Sequence, residues 1–358
     1  MKTSNGAIAK EKKPFLKTAA GWADSRVFRY LISILIPVAL FSVFLLSQGK
    51  SIPDAFAAMG KAVFGNKYSF GEVIVRTCPL LLAGLAALLP ANVGVSNAGG
   101  EGQLICGAIG AALLGTTAFR GLPGFIGLPA LLIGGALFGA LWAMIAILCK
   151  MRLHMNETLT TLLMNFIMAN FVGYLVFGPM KDQSGMNWPQ SAEIAPQLRF
   201  GTFPGTRVNI GIFIALLATA AVWFVLNKTA LGFKMRTIGG NPNAARFAGL
   251  KVEKIQFLTF LAAGALAGLA GAIEIAGIEG RLRLATGTNL GFMGFLAAGM
   301  VWNKPLSTVL ASLLLAAISV SGNSMEISTG LPASAAQILL TLVLLTIFAV
   351  GRRRQNVS

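Results

Sequence analysis

Ten apolar stretches, set apart by glycine, proline or charge, run along this chain at about 30–47, 71–90, 97–117, 124–149, 157–178, 207–227, 255–278, 287–302, 306–322 and 332–350. Most are near the length of about 20 residues that a helix needs to cross hydrocarbon. Backbone amides and carbonyls find no water there, so such stretches are expected to fold as helices. The expected fold class is therefore an all-α polytopic membrane protein with about ten crossings. The stretches at 97–117 and 287–302 are short and glycine-rich, so each is expected either to cross fully or to be broken and re-entrant.

Composition agrees with this reading. The chain of 358 residues is 55% hydrophobic and 11% charged, against about 25% charged residues in ordinary soluble domains. That excludes a solvated globular enzyme and a disordered chain. Bases outnumber acids 29 to 12, a formal charge of +17. The bases flank apolar runs instead of forming one stripe, so they read as membrane topology and not as a nucleic-acid surface. Residues 1–29 carry seven Lys/Arg against two acids, 228–254 carry six against one, and Arg352, Arg353 and Arg354 come near the end.

The positive-inside rule orients the set. Both termini, Lys150-Met151-Arg152 and 228–254 fall in the cytoplasm, and 179–206 falls outside, where bases and acids nearly balance. Arg281 and Arg283 land outside, against the trend. The organisation is a basic tail 1–29, a membrane domain 30–350 with a cytoplasmic segment 228–254, and a basic tail 351–358. The start resembles a signal peptide, but its tail is long and Ala55-Phe56-Ala57 lies well beyond the apolar run, so a retained first helix is expected. Spans two to five begin outside and spans seven to ten begin inside. That parity implies an inverted repeat of two four-helix groups. Gly135-x-x-x-Gly139 and Gly264-x-x-x-Gly268 put small residues one turn apart, which lets membrane helices approach closely.

Reactive chemistry is sparse. Cys78, Cys106 and Cys149 are far apart in apolar surroundings and read as inert buried thiols. The one histidine, His154, gives no metal site or nucleophilic triad, and no GxxxxGK[ST] phosphate loop is present. No catalytic residue, metal or cofactor is expected on this chain.

Polar groups within the apolar stretches are costly and should face protein or a water-filled path. Glu101 sits in a glycine-rich turn, either holding broken backbone through amide hydrogen bonds or touching a solute. Thr158, Thr161 and Asn165 follow i, i+3, i+7 spacing beside Glu157, and suit either a path lining or bonds between helices. Glu274 and Glu279 are expected to pair with Arg281 and Arg283, and Glu72 with Arg76 one turn on. Phe292, Phe295 and Trp302 suit either stacking on a planar solute or plain packing.

The segment 228–254 is the most informative. Asn241 suits an N-cap, Pro242 the first helical position and Gly249 the residue past the end. The helix between them has about seven residues and is marginal alone in water. Ala244, Ala245, Phe247 and Ala248 offer a small apolar face, with Arg246 and Lys251 as charges. It reads either as a docking element for a partner or as a connecting loop.

Four stretches together carry a family resemblance. Thr229-x-x-Gly-Phe-x-x-Arg-x-x-Gly239-x-Asn241-Pro242-x-Ala-Ala-x-x-Ala-Gly249 resembles the cytoplasmic coupling loop of ABC importer permeases of the branched-chain amino acid, ribose and nucleoside group. Asn97-Ala-Gly-Gly-Glu101-Gly-Gln103 is similar to a signature of the nucleoside and simple-sugar permeases. Asn156-Glu157-Thr158 with Asn165, and the Gly-Ala-rich run Gly264–Ala272, also resemble that branch. In the branch an acidic residue follows near Asn289-Leu-Gly-Phe-Met-Gly-Phe295, where this chain has Met293.

The resemblance covers about residues 71–350. It implies a pore built with a second permease, usually a different one, and an extracytoplasmic binding protein that delivers solute. It implies a separate ATPase, which carries the ATP and magnesium and docks on the coupling helix. Carried over, the coupling residues are Gly239, Asn241, Pro242, Ala244, Ala245, Arg246, Phe247 and Gly249. The residues implied along the translocation path are Asn97, Glu101, Gln103, Thr158, Thr161, Asn165, Phe292 and Phe295. The implied location is the cytoplasmic membrane. The solute is expected to be a nucleoside, then a simple sugar. Rival readings are a branched-chain amino acid permease and an ion-coupled secondary transporter.

Overall fold

The computed structural model describes residues 26–184, 188–332 and 334–352, so most of the two expected basic tails lies outside the described residues. Among the described residues thirteen α-helices follow one another and no β-strand forms. They are α1 (Arg26–Ser47), α2 (Ile52–Phe64), α3 (Lys67–Ala91), α4 (Gly100–Thr116), α5 (Gly124–Leu153), α6 (Glu157–Phe177), α7 (Gly211–Lys228), α8 (Ala230–Gly240), α9 (Pro242–Phe247), α10 (Val252–Glu274), α11 (Leu290–Met300), α12 (Pro305–Thr329) and α13 (Ser334–Arg352). A π turn, Ile275–Glu279, extends α10.

Helices stand at all ten expected positions. Among the described residues six of them, α3, α5, α6, α7, α10 with its π turn, and α12, are long and apolar enough to cross a membrane. The glycine-rich pair is shorter. At about 1.5 Å per residue, the 11 residues of α11 reach only about half of a hydrocarbon layer of about 30 Å.

α3 is the hub of the fold. It is packed by α10, α11, α12 and α7, and every residue from Thr77 to Pro90 is buried. Asn66 starts it, its side chain accepting from the Ser69 amide at 2.7 Å. By hydropathy α3 and α7 look alike, yet 89% of the α3 window is buried inside the protein against 28% for α7. The outward face of α5 shows why lipid is needed. Ile133, Leu137, Leu141 and Ile145 recur every fourth residue and all are exposed. A continuous apolar stripe of that length is unfavourable in water and favourable against acyl chains.

Glycine sets the closest contact. Gly107 of α4, Gly135 and Gly139 of α5, and Gly264 and Gly268 of α10 meet where the three helices cross. A Cβ on Gly139 would lie 2.7 Å from the Gly268 amide nitrogen, and one on Gly135 would lie 2.6 Å from the Ala272 Cβ. Both small-x-x-x-small pairs therefore face each other, as their spacing implies.

Two helices were not expected from hydropathy. α2 is capped by Ser51, whose hydroxyl accepts from the Asp54 amide at 3.4 Å, and buries Ala55, Met59 and Val63. α8 occupies the first half of the segment 228–254 and is capped by Thr229. The segment 179–206, described except for 185–187, is largely irregular and is tied to the residues after α10. Ser191 N donates to Leu282 O and Ile194 N to Gly280 O, both at 2.9 Å. Glu193 receives Arg199 at 2.5 Å and Arg281 at 2.6 Å. The Ser184 hydroxyl and amide both donate to Asp182, and with Arg281 nearby they hold that carboxyl below its usual range.

Candidate functional site

After α3 the chain turns back into the protein before α4 begins. In this return, residues 92–99, the amides of Asn92 to Val95 still bond back to the end of α3, and the remaining polar groups need partners from elsewhere. Side chains supply them. Asn97 donates to Ala86 O at 3.1 Å and accepts from the Gly99 amide at 3.1 Å. Asn97 and Gln103 also bond reciprocally, at 3.0 Å in each direction. Asn165 on α6 donates to Ala98 O at 2.9 Å and accepts from the Gly102 amide at 2.8 Å. Gln256 on α10 reaches Val93 O at 3.0 Å, and Glu157 accepts from the Ser96 amide at 3.4 Å.

The polar stripe on α6 thus divides. Asn165 bonds between helices, and Thr161 bonds back to Glu157 O at 2.7 Å. Thr158 is half-buried and its amide is capped by Asn156 at 2.9 Å. No water-sized volume remains between Gln103, Trp142 and Thr161.

Glu101 is the second residue of α4 and is only 8% exposed. Its carboxylate faces the backbone amides of Asn289 and Phe292, at the start of α11. The other short helix therefore presents its amino end to this acid, a favourable placement for negative charge. Backbones touch here: a Cβ on Gly291 would meet the Glu101 backbone. One Glu101 oxygen, Oε2, has no hydrogen-bond partner. Phe292 and Phe295 are half-buried in α11, and Phe295 packs on the core.

The expected charge pairs are corrected. Glu72 pairs with Arg207 at 3.4 Å, not with Arg76, and Arg76 faces Glu274 at 4.0 Å. Arg281 bonds Glu193 and lies 4.0 Å from Asp182, while Glu279 accepts from the Thr286 hydroxyl with Arg283 acting on it electrostatically. Arg76 and Arg207 were each brought from another helix or loop, a distance that local spacing does not reveal. Of these groups Glu72, Arg76 and Arg207 line a cavity of about 630 Å³ at the end of the bundle away from α9. Sequence reading did not single it out.

At the opposite end, α8 and α9 form an elbow. Asn241 accepts from the amides of Asn243 and Ala244, each at 3.0 Å. Gly249 takes φ +80°, a left-handed geometry suited to glycine. α9 runs six residues, close to the expected length. Its apolar residues do not form one face: Ala245 is fully buried, whereas Ala244 and Ala248 are exposed and Phe247 is 94% exposed. Arg246 reaches Glu253 at 3.5 Å, both exposed. Gly239 packs on the Asn92 backbone, so the elbow touches the foot of α3 and the return segment.

A sequence profile described as the branched-chain amino acid transport system, permease component, matches residues 69–348. The chain belongs to this family. The permease is 34% identical over 327 residues to a glucose ABC transporter permease of Haloferax volcanii, covering 88% of this chain and 85% of that one. It is 33% identical over 323 residues to a guanosine ABC transporter permease of Bacillus subtilis, covering 88% and 91%. A second guanosine ABC transporter permease of Bacillus subtilis is 26% identical over 298 residues, covering 78% and 91%. The matched stretch holds the permease's return segment, the elbow and all of the cavity lining but Ala62 and Tyr68.

Proposed function

We propose that this permease is the membrane subunit of an ABC importer that moves a nucleoside, or next a simple sugar, into the cell. ATP hydrolysis on a separate subunit drives the step, and the permease itself catalyses no reaction. The observation that carries the reading is α9. A six-residue helix that holds itself by one buried alanine and leaves Phe247 94% exposed is suited to receive a partner. Coupling of this kind needs a rigid element that nucleotide at one site and solute at another both bias.

Relatives named for guanosine and glucose support this solute class. The two Bacillus subtilis guanosine permeases support a pore made with a different second permease. An extracytoplasmic binding protein delivers the solute. Ten crossings arranged as an inverted repeat, with both termini and the elbow in the cytoplasm, complete the proposal for the cytoplasmic membrane. The paired short helices, α4 and α11, support that arrangement, because broken helices in corresponding places are a mark of such repeats. In this reading Asn97, Gln103, Thr161 and Asn165 hold α4 in place beside the path, while Glu101 ties α4 to α11. Thr158, Phe292 and Phe295 are the remaining path candidates.

A second reading, a branched-chain amino acid permease, is favoured by the family description itself. Uptake by the assembled importer in proteoliposomes separates the readings. Guanosine or glucose uptake that vanadate abolishes and an ionophore spares supports the first. Leucine uptake with neither of the others supports the second. Uptake abolished by the ionophore and spared by vanadate contradicts both, and fits an ion-coupled transporter.

A further inference from the structure

α7 is 18 residues long. At about 1.5 Å per residue it spans about 27 Å, close to a hydrocarbon layer of about 30 Å. Phe213, Leu217 and Phe224 are exposed along it. With Lys228 they recur at i, i+4, i+11 and i+15, within about 60° of one another at about 100° per residue. Lys228, the last residue of α7, therefore ends a lipid-facing stripe at the level where acyl chains give way to headgroups. Its ammonium lies 6.0 Å from the centre of the Trp223 ring. Lysine and tryptophan both suit that level, with an apolar body in hydrocarbon and a polar tip in the headgroups.

α8 turns off the end of α7 and stays against it. The Thr229 hydroxyl donates to Val225 O at 2.6 Å and accepts from the Gly232 amide at 3.2 Å, and Arg236 donates to Leu226 O. A Cβ on Gly232 would run into the Val225 and Leu226 carbonyls. This packing buries Gly232, Met235 and Ile238. It leaves Phe233 and Lys234, an aromatic and a basic side chain in sequence, exposed on the outer surface.

Residues 228–240 hold Lys228, Lys234 and Arg236 and no acid. Among the described residues no carboxylate pairs with Lys228 or Lys234. Two other bases at this end of the bundle are matched: Lys150 by Glu157 at 2.8 Å and Arg246 by Glu253 at 3.5 Å. Unmatched lysines beside a lipid-facing stripe favour an anionic leaflet. A soluble acidic surface would complement the lysines but not the phenylalanines that run down α7. A phospholipid complements both, with its chains on the apolar stripe and its phosphate at the lysines.

We infer that the end of α7 and the outer face of α8 form a site for an anionic phospholipid. Only Asn241 separates α8 from α9, so the bound lipid steadies the arm that carries the coupling helix. The inference takes the cytoplasmic orientation and the role of α9 from the importer reading above. It adds a lipid partner and a dependence of coupling on membrane charge.

The test uses the complete importer in nanodiscs of phosphatidylcholine, alone or with phosphatidylglycerol. Lys228→Gln with Lys234→Gln is compared with Lys228→Arg with Lys234→Arg, which keeps the charge. Both lysines are exposed, so both double variants should fold. Native mass spectrometry counts the phosphatidylglycerol retained, and needs no transport. The Gln variant is expected to bind it about tenfold more weakly, and the Arg variant like wild type. Solute-stimulated ATP hydrolysis by wild type should rise with phosphatidylglycerol and lose that rise at high salt. The Gln variant should match wild type in phosphatidylcholine alone and show no rise. Equal retention by wild type and the Gln variant overturns the lipid site. So does a Gln variant that sheds the ATPase in phosphatidylcholine alone, which would make the patch a protein dock. Soluble glycerophosphoglycerol that replaces the lipid in raising hydrolysis overturns it in favour of a small-anion site. If retention differs as expected while wild type shows no solute-stimulated hydrolysis in any nanodisc, the lipid site stands and the importer reading fails.

Discussion

Asn97 and Gln103 exchange two side-chain hydrogen bonds of 3.0 Å, and both residues are buried. The pair closes the return segment against α4, while Asn97 also holds Ala86 O and the Gly99 amide. Removing either partner leaves a buried amide unmatched, at a cost of about 1–3 kcal/mol. Asn97→Leu and Gln103→Leu should each lower the melting temperature of the purified permease, Asn97→Leu more. The double variant should fall short of the summed losses by about 1 kcal/mol, since the two share one interaction. Additive losses would show that the reciprocal pair does not exist in the folded protein.

The crossing of α4, α5 and α10 tolerates no side chain. A Cβ on Gly139 would lie 2.7 Å from the Gly268 amide nitrogen, and that contact is backbone, which cannot swing aside. Gly139→Val should therefore cost more than the roughly 1–3 kcal/mol of ordinary overpacking. The expected result is little folded permease in the membrane, read by size-exclusion of detergent extracts. Gly60→Val, at a glycine with open space around its Cβ position, should extract normally.

Glu101→Gln keeps the shape of the side chain and removes its charge from the amino end of α11. Charge at such an end is worth about 0.3–1 kcal/mol, up to about 2 when partly buried. Uptake should fall while the amount of inserted permease stays normal. Unchanged uptake at normal amounts would make the contact with Asn289 and Phe292 dispensable.

Gly249 has φ +80°, whereas proline is fixed near −65°. Gly249→Pro should disturb the exit from α9 without touching the membrane helices. The variant should insert and extract normally yet lose ATP-driven uptake. A Gly249→Pro importer with full uptake would remove the elbow from the transport cycle.

The sequence carries the helix positions because local hydropathy decides which stretches enter hydrocarbon, where the cost of unpaired backbone then makes them helical. The caps of α9 are legible for a similar reason: Asn241, Pro242 and Gly249 act within one turn. Partners are a different matter. Glu72 lies four residues from Arg76 yet bonds Arg207, and Arg76 turns to Glu274, because the packing of α3 against α10 decides which charges meet. The same holds for Ala245, which is buried while its neighbours Ala244 and Phe247 are exposed. Which side of a six-residue helix faces the protein is set by α8 and α10, not by its own pattern. α2 escaped hydropathy reading because it is short and has Asp54 and Lys61 among its apolar residues. Its signal was the cap, Ser51 three residues ahead of Asp54, with Pro53 in the first turn.

The claim at the centre is that α9 receives the ATPase. Phe247 is 94% exposed, so Phe247→Cys should fold and insert like the unsubstituted permease. In the assembled importer a short thiol crosslinker should join Cys introduced at that position to the ATPase subunit, with a yield that changes between ATP-bound and nucleotide-free states. No crosslink in either state, from an importer that still hydrolyses ATP and takes up solute, would contradict the account.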